Sequence, residues 1–192
     1  MGKLWKLVLV VLLLSSAAEG IAQRKKFSQA FDKGMFTVDA HTSLGLYRSR
    51  QFLSSRMPLF VGADYGVRSD VGIGVLLGWN QRMFKDPGAP PYNVNYYYYG
   101  LRLGMHLTKF INQNTPFRLN PNHVDTYVSV FAARQVASQV TFSAGGLENT
   151  GSVTLVGGLI GARLYTMNYV GLLIELGAGP YGIVNAGICA KF

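Results

Sequence analysis

The chain has 192 residues, 49% hydrophobic and 14% charged, with a formal net charge of +9 and one cysteine, Cys189. A single cysteine excludes an intrachain disulfide and any cysteine-based metal site. The basic balance would suggest nucleic acid in a soluble protein, but the N-terminus argues for export, which leaves the phosphates of lipopolysaccharide or phospholipid headgroups as the better counter-charge.

Lys3 and Lys6 precede an unbroken apolar run, Leu7 to Leu14, and the small residues Ser15 to Ala18 follow. That order describes a secretory signal peptide, too short for a bilayer span of ~20 residues. Gly20 and Ala22 predict cleavage after Ala22, with cleavage after Gly20 as the alternative, and residues 1–22 are set aside from the fold. No cysteine adjoins either site, which argues against a lipid-anchored lipoprotein. Residues 23–34, with Arg24-Lys25-Lys26, are polar and basic and read as a periplasmic lead-in; residues 35–192 read as one domain. No further run reaches transmembrane-helix length without glycine or charge.

From Met35 to Leu46 the chain alternates, with Phe36, Val38 and Ala40 on one face and Thr37, Asp39, His41 and Ser43 on the other. Period-two alternation marks a strand between two unlike environments. Residues 47–56 read as a polar connection. Leu59 to Arg68 gives a second strand with Asp64 and Arg68 inward, and Ser69-Asp70 a tight turn. Val71 to Gln81 gives a third, with Ile73, Val75 and Leu77 opposite Gly72, Gly74 and Gly78. Glycines recurring on one strand face allow a narrow interior to close.

Residues 82–94 contain Pro87, Pro90 and Pro91 and read as an exposed loop. The fourth strand, Asn95 to Thr108, turns Tyr97, Tyr99, Leu101 and Leu103 outward and Tyr96, Tyr98, Arg102 and His106 inward. Its tyrosine tetrad suits an interfacial aromatic girdle on the outward side. Residues 109–123 form a long connection that caps the barrel or holds a short helix. A fifth strand over 124–134 carries Asp125; a sixth, 152–165, points Arg163 inward; a seventh, 169–179, points Glu175 inward. All seven prolines fall in connections or at strand starts, as strand pairing demands.

The last stretch, Gly182 to Phe192, alternates up to the terminal aromatic, with Asn185, Gly187, Cys189 and Lys191 inward. A barrel closes its last strand against its first, so the chain end belongs in the sheet. Asn185, Gly187, Ala190 and Phe192 resemble the C-terminal insertion signal of bacterial outer-membrane barrels, which is read by the barrel-assembly machinery; Ala190 departs from it, a bulkier residue being usual there. Gly161-Ala-Arg-Leu-Tyr165, Gly171 to Gly177, the last strand and Leu119 to Tyr127 resemble the small outer-membrane β-barrel (porin-like) family of Gram-negative bacteria. The resemblance implies an all-β, eight-stranded antiparallel up-and-down transmembrane barrel in the outer membrane. It implies little about activity.

Ten ionisable residues are expected inside: Asp39, His41, Asp64, Arg68, Arg102, His106, Asp125, Arg163, Glu175 and Lys191. An eight-stranded barrel is only wide enough for side chains to fill it, so a plug of paired charges is expected, with Arg102 and Arg163 each beside a carboxylate. Cys189 reads as a small interior filler. His41 and Ser43, with Asp39 two residues back, share a face, but such spacing alone is a weak sign of nucleophilic catalysis. No ligand spacing for a metal and no phosphate loop is present, so neither cofactor nor metal is expected. The expectation is therefore a non-enzymatic outer-membrane barrel with an envelope-structural or surface-binding role. A narrow passive channel is the alternative, and a lipid A-modifying hydrolase comes third.

Overall fold

Alternating apolar and polar residues cannot bury both faces of a sheet in one medium, and the chain resolves this by rolling the sheet into a cylinder. A computed structural model describes residues 29–44, 52–55, 57–84, 91–139, 151–178 and 183–192. The strands are β1 (Phe36–Leu44), β2 (Phe52–Ser55), β3 (Leu59–Gly66), β4 (Val71–Phe84), β5 (Tyr92–His106), β6 (Val124–Gln139), β7 (Ser152–Tyr165), β8 (Val170–Ala178) and β9 (Val184–Lys191). One short helix, α1 (Thr108–Asn114), joins β5 to β6.

All pairings are antiparallel between neighbours, and β9 pairs back onto β1, so the sheet is closed. β2 and β3 both pair with β4, at its two ends, and so form one stave interrupted near Pro58. The wall is an eight-stave up-and-down barrel. The seam is completed beyond the strands: the Phe36 amide donates to the Phe192 carbonyl at 3.0 Å and the Phe192 amide donates to the Phe36 carbonyl at 2.8 Å.

Several boundaries differ from the sequence reading, for one reason. Hairpins continue as long as both arms find partners. The predicted connection 47–56 therefore holds β2, because Phe52 and Ser55 pair with Phe84 and Arg82. The predicted loop 82–94 shrinks from both sides, with Phe84 opposite Tyr92 and their rings stacked at 5.8 Å. The fifth strand likewise runs on to Gln139 against β5. In the other direction β3 stops at Gly66, where residues 67–70 turn: the amides of Val67 and Arg68 both donate to the Val71 carbonyl. The connection 109–123 holds α1.

The outer surface is apolar: Leu101 is 68% exposed, Ile160 65% and Val156 75%, with Leu77, Leu172 and Ile188 beside them in character. Tyr97 and Tyr99 are outward, while Tyr98 is buried. Water is a poor solvent for such a surface, and contiguous apolar patches of this extent mark a face that meets something apolar. The interior is divided along its axis. Towards the end carrying the turns 67–70 and 166–169, here the turn end, it is ionic. Towards the opposite, loop end it is apolar, with Phe60, Leu76, Tyr98, Phe131, Ala133 and Leu159 packed together and Tyr96 and Leu155 against them.

Candidate functional site: the filled lumen

Strand parity delivers the ionic layer. Every second residue points inward, so Asp39, Asp64, Arg102, Asp125, Arg163 and Glu175 reach the axis from six different strands, each at most 6% exposed. Arg102 Nη2 lies 2.7 Å from Asp39 Oδ2 and 2.6 Å from Asp64 Oδ2; its Nε donates to Asp64 Oδ1 at 2.9 Å and its Nη1 lies 3.3 Å from Glu175 Oε1. Arg163 bridges Asp64 and Asp125, with Nη1 3.4 Å from Asp125 Oδ2, and its guanidinium sits 4.7 Å over the Tyr127 ring. Tyr127 donates its phenolic proton to Glu175 Oε1 at 2.6 Å, and the Asn185 amide donates to Glu175 Oε2 at 3.0 Å.

Two imidazoles complete the carboxylates' partners. His41 Nδ1 is 2.9 Å from Asp39 Oδ1 and His106 Nδ1 is 2.7 Å from Asp125 Oδ1. Since a carboxylate only accepts, each Nδ1 carries the proton in these bonds. Formally four carboxylates face two guanidiniums, so Tyr127, Asn185 and the two histidines supply the donors that the arginines do not. A buried charge left unpaired is costly, and a network in which each carboxylate has several donors is how a narrow barrel tolerates so many. Glycine opens the room: a Cβ at Gly62 would come within 2.8 Å of Asp39 Oδ1 and Arg102 Nη2.

The turn end is stoppered by the chain's own N-terminal segment. Of the predicted lead-in, residues 29–34 fold into the barrel mouth rather than away from it. Phe31, 5% exposed, lies parallel to the His106 ring at 3.3 Å between centroids. The Ala30 amide donates to the Pro121 carbonyl and the Gly34 amide to the Gly66 carbonyl, both at 2.7 Å. Lys191 points inward as expected but belongs to this stopper, not to the ionic layer. Its ammonium donates to the carbonyls of Gln29 at 2.9 Å and Asn122 at 3.3 Å, above the Tyr165 ring. The space left beside Phe31 and Asp125 is a cavity of about 20 Å³, roughly one water molecule.

Arg68 corrects the sequence reading. It does not enter the lumen: the strand ends two residues earlier, and the side chain lies outside, 72% exposed, with Nε 3.2 Å from Asp70 Oδ1. The Asp39, His41 and Ser43 line on β1 is buried, and it is not arranged as a nucleophile and base. His41 Nε2 faces Glu175 Oε2 at 4.0 Å, and Ser43 Oγ has no hydrogen-bond partner among the described residues. Among those residues no group of three or more His, Cys, Asp or Glu is arranged to hold a metal ion.

Sequence reasoning missed Tyr127 as the bridge between Arg163 and Glu175, and it missed the apolar layer. Inward parity signals both, since Tyr127 follows Asp125 by two and Leu76 follows Gly74 by two. Of the four residues resembling an insertion signal, Asn185 and Gly187 face inward, Ala190 pairs with Val38 and Val170 on the outward side, and Phe192 makes the seam. Cys189 is buried, its Sγ 3.8 Å from the Leu172 carbonyl.

A closed eight-stave antiparallel barrel, apolar outside and filled with side chains, is the architecture of small outer-membrane β-barrels. The outer membrane protein OprG of Pseudomonas aeruginosa shares this fold at a TM-score of 0.57 and 10% identity, covering 86% of this chain and 99% of that one. The N-terminal β-barrel domain of OprF from the same organism aligns at a TM-score of 0.49 and 15% identity, covering 83% and 98% of the two chains. Ail, the attachment invasion locus protein of Yersinia pestis, aligns at 0.46 and 15%, covering 83% and 99%. No family model matches the sequence, and no curated protein matches it.

Proposed function

We propose that this protein is an exported outer-membrane barrel that neither conducts nor catalyses, and that acts through what it presents at the membrane surface. The observation that carries this reading is the filling of the lumen at three levels. The Arg102 and Arg163 network closes the middle, the Phe60 to Leu159 cluster closes the loop end, and residues 29–34 close the turn end. A solute would have to break buried ion pairs to pass, which sets the filled barrel above the narrow-channel reading. Lipopolysaccharide and phospholipid are the partners that a basic, apolar-walled barrel would meet, and the assembly machinery would read its last strand. Its role is then envelope-structural or surface-binding, through the loops between staves.

Purified protein in a planar bilayer tests this directly. The filled barrel gives no steady current at moderate voltage; reproducible ohmic steps from single insertions would establish the narrow channel instead. Outer-membrane fractionation with heat-modifiable gel mobility tests the location, and recovery in the periplasmic fraction would refute it.

A further inference from the structure

The connection from β5 to β6 is longer than a turn needs, and it is built, not slack. Residues 107–123 contain Lys109, Arg118 and His123 and no carboxylate. A seven-residue helix is marginal in water, and α1 has no side-chain cap at its start. Its far end is instead held by side chains: Arg118 Nη1 donates to the carbonyls of Asn112 at 2.9 Å and Thr115 at 2.8 Å. Asn112 closes a reciprocal pair with Leu119, donating to its carbonyl at 2.7 Å and accepting from its amide at 2.8 Å. What this small fold displays is two aromatic side chains, Phe110 at 60% exposure and Phe117 at 70%.

Its position gives those rings an environment. Thr108 Oγ1 lies 3.1 Å from Thr126 Oγ1 and accepts from the Thr126 amide at 2.8 Å. Thr126 shares strand parity with Val128 and Val130, the outward set of β6, whereas Asp125 and Tyr127 point inward. The helix therefore starts at the rim of the wall: Thr108 is buried beside the small cavity at Phe31 and Asp125, Lys109 Nζ lies 4.0 Å from Asp32 Oδ1 of the stopper, and the lower edge of the apolar belt adjoins it. The neighbouring turn continues that edge with Met167, 70% exposed, and Tyr169, 41% exposed, and the Tyr165 amide donates to the His123 carbonyl to join the two.

We infer that residues 107–119 form an interfacial foot: Phe110 and Phe117 enter the lipid of the leaflet at the turn end, and the Arg118 charge lies at phosphate level. This rests on the membrane-barrel reading above. Aromatic rings with adjacent cations favour that boundary, where an apolar body and a charged neighbour are both satisfied. The occupant is membrane lipid because the foot is continuous with the belt that lipid covers.

Tryptophan depth measurements test this with an internal control. In the full chain carrying Trp5→Phe, Trp79 is the only indole left, and it lies on the outward face of β4. Vesicles of phosphatidylethanolamine and phosphatidylglycerol with brominated acyl chains should quench it if the barrel spans them. A second variant carries Trp5→Phe, Trp79→Phe and Phe110→Trp. Its emission should fall roughly twofold with bromines near the headgroup, less with bromines near the chain end, and resist iodide in the water, for a ring ~5–10 Å into the boundary. If Trp79 is quenched by lipid but the Phe110→Trp indole is quenched only by iodide, or by neither, the foot does not lie in lipid and the inference falls. If Trp79 itself escapes the brominated lipid, the barrel reading fails first, and the foot with it.

Discussion

Arg102 on β5 and Asp39 on β1 meet at 2.7 Å across the lumen, although their strands stand three staves apart around the wall. The same guanidinium holds Asp64 and Glu175, so it acts as a crosspiece from β5 to three strands with which β5 shares no backbone hydrogen bonds. Removing it leaves three carboxylates close together in a water-poor interior. Breaking a buried pair by deleting one partner typically costs ~3–5 kcal/mol. We expect Arg102→Met to lower the unfolding free energy of the micelle-embedded barrel, read from a urea titration, by an amount of that order. Adding Asp39→Asn should recover part of the loss.

Tyr127 separates packing from hydrogen bonding at the same site. Tyr127→Phe keeps a ring beneath Arg163 but removes the donor to Glu175 Oε1, which still has Arg102 Nη1 at 3.3 Å, while Asn185 holds Oε2. Both oxygens keep a donor, so the loss is that of one hydrogen bond to a charged group, about 1.5–3 kcal/mol, and this variant should fall between wild type and Arg102→Met in the same titration. A loss as large as that of Arg102→Met would show that the phenol, not the arginine, is the centre of the network.

Gly74 tests how tightly the wall closes on the charges. A Cβ there would overlap Asp64 Oδ1 and come within 2.6 Å of the Ala63 carbonyl oxygen. Asp64 is held by both arginines and cannot swing away cheaply. Gly74→Ala is expected to cost about 1–3 kcal/mol, as overpacking does elsewhere. Gly151→Ala, with nothing within 4 Å, should change stability by no more than about 0.5 kcal/mol.

The barrel was legible in the sequence because each strand faces two media, and alternation records that directly. Asp64, Arg102 and Glu175 stand out as charged residues at alternate positions between outward aliphatics. Which of them pair was not legible, since the contacts cross the lumen between strands 38 to 73 residues apart, and their relative height depends on stagger that no single strand encodes. Arg68 was misplaced because parity was carried two residues past the end of its strand. Phe31 was hidden in a polar stretch whose burial depends on the mouth it fills. The apolar layer escaped notice because Leu76, between Val75 and Leu77, makes a run in which the inward residue looks like its neighbours.

That layer has its own prediction. Phe60 is 1% exposed and packs 5.6 Å from the Tyr98 ring and 5.5 Å from His41. Truncating a buried phenylalanine usually costs ~3–5 kcal/mol through lost burial and the cavity left behind. Phe60→Ala should destabilise on that scale. It should also leave the planar-bilayer current at baseline, because the ionic layer below remains intact. A current appearing with Phe60→Ala alone would mean that the apolar layer, not the arginines, seals the barrel.

Phe192 joins fold and assembly at one residue. Its amide and carbonyl exchange two hydrogen bonds with Phe36 beyond the last ladder pair, where the first and last staves meet. It is also the terminal aromatic of the stretch that resembles an insertion signal. Deleting it removes two seam bonds worth about 0.5–1.5 kcal/mol each, a loss the eight-stave wall can absorb once formed. A chain lacking Phe192 should therefore refold in detergent with near-normal heat-modifiable mobility, yet accumulate outside the outer membrane when expressed in cells. Failure in both settings would make the seam itself the cause. Normal assembly in cells would show that the residue is not read as a signal, and that Asn185 and Gly187 serve the lumen and the wall alone.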